Sequence, residues 1–459
     1  MRYLFMVVLI FSLAACDIKS DPQPSPEPTP IEPTPQPEPN PGEPNPEPTL
    51  GGTLDESFGN SGKVVFSDGD EFSPMAMAAQ PDGRIVTLTT QVQQEAGEEK
   101  TFYLVRRFNT DGTLDPRFAQ EGKFIALEAD NALGPTFNEA SAITVADSGR
   151  ICFVGNSSRG SRSFGDRPVV GCLTSDGQAS SFDDNGFAFP LSSQSGDPEL
   201  ELSDIKIDPT TGDVVIGGTI FTDDAQSRFW FFRMAADGAD NDGAGRETVI
   251  TFSEQRARLE SFAFDTKGDI VAVGSVFDTN TGTDTAVALI PKTGARTTAI
   301  LDLDPTGEDF ASDVVIDKQN RPVLAVSLEF NEGANEKGAL ARLNEGTLEL
   351  DETFGDAGVV RTFGPEEYFT SVALASDGKI LAAGGVFNVI ANGNDFLVAR
   401  FLEDGSPDAT FGSAATPGKV SFDVDQQFDE ADEVVVDASG NIIVAGETGD
   451  AFALARLKP

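Results

Sequence analysis

Across most of the chain, short and nearly continuous apolar runs alternate with brief polar turns. The clearest case is "SVALASDGKILAAGG" from Ser371, in which two runs of small or β-branched residues flank an Asp-Gly turn. A tight hairpin needs a residue with positive φ at that turn, and glycine takes it without steric penalty. Runs with so little polar alternation predict strands covered on both faces. The unit recurs in seven copies, with turn residues Gly83, Gly149, Gly212, Gly268, Asn320, Gly378 and Gly440.

Each copy continues into a third strand, as in "FYLVRRF" from Phe102, "FWFFRM" from Phe229, "FLVARF" from Phe396 and "FALARL" from Phe452. A fourth follows an "LDxxFGxxG" loop, as in "GKFIALE" from Gly122 and "GVVRTF" from Gly358. Four short antiparallel strands repeated in this way predict an all-β fold, a seven-bladed β-propeller of four-stranded blades. A solenoid of the same repeats would need polar capping units, and none is visible. The seventh copy stops after its third strand, whereas "TLDESFGNSGKVV" at Thr53 offers a loop and a fourth strand with no first three. The two ends are therefore expected to complete one blade and leave no open edge.

The combination of "GTLDESFG" from Gly52, "ALASDGKILAAGG" from Ala373 and "LVARFLEDGSPDATFG" from Leu397 resembles the delta-60 repeat. That resemblance spans Thr53 to Pro459. It implies a propeller of the kind found in bacterial envelope and secreted proteins, and it carries no established activity.

The N-terminal region has a different pattern. Arg2, an apolar run from Tyr3 to Leu13 and "LAAC" ending at Cys16 resemble a lipoprotein signal, with residues 1–15 removed and lipid placed on Cys16. Residues 16–49 are dominated by proline with acidic and small residues, an extended tether that reaches on the order of 90 Å at about 3.1 Å per residue. The propeller is expected over 50–459. These features predict a protein held on the outer face of a membrane by its lipid, with inner and outer membrane left open.

Charge and residue usage narrow the chemistry. With 75 acidic and 32 basic residues, the net charge of -43 excludes nucleic acid as a natural partner. The chain has no histidine, which removes Ser-His-Asp triads, Cys-His pairs and His-ligated metals. Cys152 and Cys172 fall on neighbouring predicted strands, so a disulfide is geometrically possible in an exported protein.

Within the repeats, Arg107, Arg233, Arg342, Arg400 and Arg456 occupy one position of an apolar strand and need partners. Asp115, Asp351, Asp408 and, through ring closure, Asp55 are the expected ion-pair acids; Arg233 has no such loop. Phe58, Phe118, Phe182, Phe354 and Phe411 share a loop position and read as plugs between blades. "DGADNDG" at Asp237 only faintly resembles a calcium loop, since Gly238 stands where a ligand should be. Glu71, Glu139, Glu201, Asp309, Glu367 and Glu430 lie ten to twelve residues before their turns and are the candidate metal ligands, an acidic rim at the channel mouth suited to calcium. Copy four has Arg256 and Arg258 there instead. Connections between second and third strands ("QVQQEAGEEK", "NSSRGSRSFGDR") and between fourth and first strands ("EADNALGPTFNE") vary most. This side is expected to be the binding face. The leading expectation is a binding or scaffold module for a protein, glycan or cation, and the rival is a carboxylate-based hydrolase or lyase.

Overall fold

The computed structural model describes residues 50–459 except 68–70, 96–97, 127–135, 160–167, 183–185, 189–198, 223–225, 239–246, 254, 279–281, 306, 331–334, 363, 365 and 389–392. The signal, Cys16 and the tether therefore lie outside the described residues, as does most of the Asp237–Gly243 run. Among the described residues no helix is long and apolar enough to cross a membrane.

The fold is an all-β propeller of four-stranded antiparallel blades. Four sheets take residues 71–126, 136–188, 199–250 and 256–301. An eight-stranded sheet covers 308–422. It consists of two antiparallel runs of four strands joined by one parallel pair, Lys337 opposite Glu367. The last sheet combines three strands from 429–457 with Lys63–Phe66, whose residues pair antiparallel with Phe452 to Ala455. Both ends of the domain thus share one sheet. Gly51 and Gly52 extend the join by donating to the carbonyls of Thr410 and Lys458, each at 2.9 Å.

The first strands of successive units are Glu71–Ala79, Thr136–Val145, Glu199–Ile207, Arg256–Phe264, Glu308–Ile316, Glu367–Leu374 and Asp429–Val436. Each touches the next, and the last touches the first, so they enclose a central channel. The hairpin turns carry the expected positive φ, 63° at Asn320 and 76° to 92° at the six glycines. Between sheets the core is apolar, as where Val154 and Val170 of one sheet meet Ile216 and Trp230 of the next.

A bulge recurs in these inner strands, shifting the register at Ser141, Ser203, Glu260, Ser312, Thr370 and Asp432. The bulge bends the strand and pushes its backbone toward the second strand. That explains the glycine near the end of many second strands: a Cβ on Gly384 or Gly446 would collide with the carbonyl of Tyr368 or Glu430.

Candidate functional site

The residue after each bulge faces the neighbouring inner strand. Asp204 Oδ2 accepts the Phe262 N–H at 3.1 Å, Asp313 Oδ2 that of Val372 at 2.9 Å, Ser371 Oγ that of Val434 at 3.3 Å and Glu433 Oε2 that of Met77 at 2.5 Å. Bulged hydroxyls bond onward as well, Ser203 to the Leu259 carbonyl, Ser312 to Phe369 and Thr370 to Ala431, at 2.7, 3.1 and 2.6 Å. A belt of hydrogen bonds thus links most neighbouring inner strands across the channel wall.

Beside the belt, toward the hairpin turns, lies a cavity of about 720 Å³ lined in part by Lys206, Asp313, Glu433, Phe264 and Ile316. The Lys206 ammonium bonds Asp204 Oδ1 at 2.9 Å and keeps 37% of its side chain open to the channel. Its depth in the protein mass would lower its pKa, but Asp204, Asp313 and Glu433 around it reverse the sign and hold it above the usual lysine range. Burial raises Asp313 and raises Glu433 to about 8, against the Met77 N–H and Lys206, which favour the ionised form. One hydroxyl, that of Ser261, bridges Asp204 at 3.1 Å and Asp313 at 2.9 Å.

At the opposite end of the channel wall the predicted acids divide between two faces. Asp309 and Glu367 are buried between sheets, whereas Glu139 is exposed and Glu201 and Glu430 are half-buried. Glu71 begins its inner strand, and its side chain lies outside the described residues. The five described acids therefore do not share one exposed face. Glu201 bonds Arg258 at 2.6 Å, and Arg258 also meets Glu260 at 3.0 Å, so one basic residue of copy four neutralises the acids beside it. Burial, opposed by Arg258 and reinforced by Glu201, raises Glu260 to about 7.

Two carboxylate triads instead occupy equivalent places between sheets, Asp284 with Asp302 and Asp309, and Asp395 with Asp423 and Asp429. In each, one acid opens a third strand, one follows an outer strand and one starts or nearly starts the next inner strand. Only Asp309 belonged to the predicted set. Sequence reasoning chose Glu430 where its neighbour Asp429 is the buried acid; the signal was the parallel between "LDLDPTGED" and "FDVDQQFD".

The same end carries Phe221, Phe277 and Phe387 near the ends of second strands and Phe428 just before an inner strand, all large apolar side chains 37% to 52% exposed. Arg256 lies over the Phe277 ring at 5.0 Å. The stretch Gln91–Lys100, expected as a loop, is mainly strand: Ile85–Glu95 and Glu98–Phe108 leave two residues between them.

The arginine series forms structural pairs. Arg107, Arg342, Arg400 and Arg456 reach Asp115, Asp351, Asp408 and Asp55 at 2.7 to 2.9 Å. Their guanidiniums also lie over Phe118, Phe354, Phe411 and Phe58 at 4.5 to 4.8 Å. Those phenylalanines are fully buried, each against a glycine of the adjacent unit such as Gly177 or Gly405. Arg233 pairs at 2.6 Å with Asp208 beside its own hairpin turn, so the exception in copy three uses a different acid. Burial works against ionised Asp408, but the Thr410 hydroxyl and N–H, Lys379 and Arg400 hold its pKa down at about 2. Cys152 and Cys172 sit opposite one another in the register and are bonded, with Sγ atoms 2.09 Å apart.

Two segments match a known family. Residues 80–118 and 375–411 fit the model described as a domain of unknown function (DUF5122) beta-propeller. No curated protein matches the chain. Solved structures that resemble it include a protein of unknown function from Dyadobacter fermentans, at TM-score 0.46 and 10% identity over 86% of this chain and 97% of that one. Another is a polysaccharide lyase described as an ulvan lyase, at 0.45 and 12% over 85% and 95%. A Hadza microbial sialidase follows at 0.42 and 12% over 78% and 73%. Likeness at this level carries no argument about activity.

Proposed function

We propose that this protein is a seven-bladed propeller, lipid-anchored through Cys16 in the bacterial envelope, that binds a protein or glycan ligand at one end of its ring. Reading the eight-stranded sheet as two blades gives one blade for each inner strand. The observation that carries the binding assignment is the set of exposed rings, Phe221, Phe277, Phe387 and Phe428, at the end that holds the second-to-third and fourth-to-first connections. Large exposed aromatic rings are the side chains that most often anchor a ligand. At the other end the first-to-second turns are uniform, five or six residues, and the third-to-fourth connections run from six to seventeen; the connections beside the rings run from two to eight and from four to ten. Loops carried on a fixed scaffold suit recognition, and the exposed rings single out this end. The rival hydrolase or lyase finds less support, because Asp204 and Asp313 are engaged by backbone N–H groups and by Ser261.

The test is capture from envelope extract and binding to a glycan array by the full chain in detergent, compared with Phe387→Ala plus Phe428→Ala. The intact chain is expected to retain a defined ligand, and the double variant to lose at least about tenfold in affinity, as for aromatic anchors at binding surfaces. Equal retention by the double variant removes the assignment. For the anchor, Cys16→Ala should move the protein from the detergent to the aqueous phase; a variant that stays with detergent rules out the lipid.

A further inference from the structure

We infer that Asp395, Asp423 and Asp429 form a calcium site in the seam between the strands of 367–422 and the closing sheet. A carboxylate oxygen from each lies within 4.8 Å of the others. Three carboxylate oxygens this close suit a hard cation bound by oxygen ligands alone, and calcium tolerates irregular geometry where magnesium demands a near-ideal octahedron.

Proximity of acids alone would mean little in so acidic a chain. The independent observation is an unsatisfied buried oxygen. Asp429 is 0% exposed, and while its Oδ2 accepts the Val424 N–H at 2.6 Å, its Oδ1 has no hydrogen-bond partner. Opposite it in the register, the Thr448 hydroxyl is 2% exposed, faces Asp429 and likewise reaches hydrogen-bond geometry with nothing. A buried carboxylate oxygen left unpaired is costly, and a cation removes the cost. Burial raises the pKa of this group, the adjacent Thr448 hydroxyl and the Val424 N–H oppose the rise, and the nearby Asp423 and Asp395 add to it, so the group is held above the usual carboxylate range.

Two related seams supply contrast. In the seam at Asp309 the buried acid is satisfied: Oδ1 accepts from the Thr285 N–H and hydroxyl at 2.9 and 2.5 Å, and Oδ2 from the N–H groups of Leu303 and Asp304 at 2.9 and 3.1 Å. In the intervening seam the buried acid Glu367 is met by the Lys419 ammonium. The corresponding lysine of the closing sheet, Lys63, gives its hydrogen bonds to the carbonyls of Asp423 and Val424, at 3.1 and 2.9 Å. Glu367 Oε2 also lacks a hydrogen bond, but that carboxylate already has the Lys419 ammonium on its other oxygen. The seam at Asp429 is the one of these three in which an unpartnered acid oxygen belongs to a carboxylate triad and no ammonium bonds the buried acid.

The experiment titrates calcium chloride into the full chain in detergent by calorimetry at fixed ionic strength, with magnesium chloride as a parallel arm. Asp423→Asn and Asp302→Asn are the matched variants: both acids are exposed and take equivalent places in their triads, so folding is not at stake. The intact chain should show one saturable site with Kd of about 10⁻⁴ to 10⁻³ M, the range of extracellular calcium modules. Its melting temperature should climb with calcium concentration. Asp423→Asn should weaken binding at least about tenfold and Asp302→Asn should leave it unchanged. Absence of a saturable site below 10 mM (an order-of-magnitude ceiling above that range), binding undiminished in Asp423→Asn, or equal affinity for magnesium overturns the inference.

Discussion

Arg400 holds a charge inside an otherwise apolar strand, and three neighbours make that tolerable: Asp408 at 2.7 Å, the Thr410 hydroxyl at 3.1 Å and the Phe411 ring at 4.6 Å. Arg400→Met should cost roughly 3 kcal/mol because it leaves the buried Asp408 with Lys379, at 3.2 Å, as its remaining ion-pair partner, while Arg400→Met with Asp408→Asn should recover at least about 1 kcal/mol of that loss. Urea denaturation decides it, and additive losses would mean the pair is not coupled. Glu433 offers a pH test. Its folded pKa of about 8 lies above the ordinary value of 4.5, so the folded state holds a proton that the unfolded chain has released. Its contribution is complete below pH 4.5 and is lost as pH rises toward 8. Glu433→Gln should therefore gain melting temperature relative to the parent progressively from pH 5 to 8, with no further gain above; a difference independent of pH contradicts the assigned burial. The arginine pairs were legible in sequence because a charge repeating within apolar strands demands a partner. The acidic rim was not. Acids counted ten to twelve residues back from a turn fall on alternating faces of a strand with period two, so the window mixed buried Asp309 with exposed Glu139.

At the scale of elements, strands and turns were readable because alternation, length and turn chemistry all agree in "SVALASDGKILAAGG". The inner-strand bulge was hidden, since an extra backbone residue leaves no side-chain signature of its own. Its trace is the glycine on the facing strand. Gly384→Ala should consequently destabilise the domain by about 2 to 4 kcal/mol, although alanine suits a strand at least as well, because its Cβ meets the Tyr368 carbonyl. Thermal melting checks this, and a neutral result would mean the bulge relaxes freely. Strand length was misjudged at Gln91–Lys100 because the residues there are polar, while the pairing that makes them strand is between backbone groups and leaves no apolar signal.

For the whole molecule, ring closure was legible from a count of strands, since an unmatched fourth strand at one end and a missing one at the other have a single economical solution. Deleting residues 49–66 should lower the melting temperature of the entire domain in one transition, because it exposes the edge of Ala451–Leu457 and unseats the Phe58 plug. Loss confined to a small early transition, with the main one unmoved, would show that closure adds nothing to the ring. The same pairing also sets an order of events. Lys63–Phe66 is synthesised before any other strand of the ring yet has no partner until Ala451–Leu457 exists, nearly four hundred residues later. It must wait as an unpaired segment through translation while the intervening sheets form, and the loop closed by its docking is almost the length of the domain. Closure is therefore the contact with the greatest sequence separation and the slowest expected entropic search. A chain interrupted before Ala451 presents the exposed strand edge that proteases and aggregating neighbours recognise, so the ring is protected only once Ala451–Leu457 has been made.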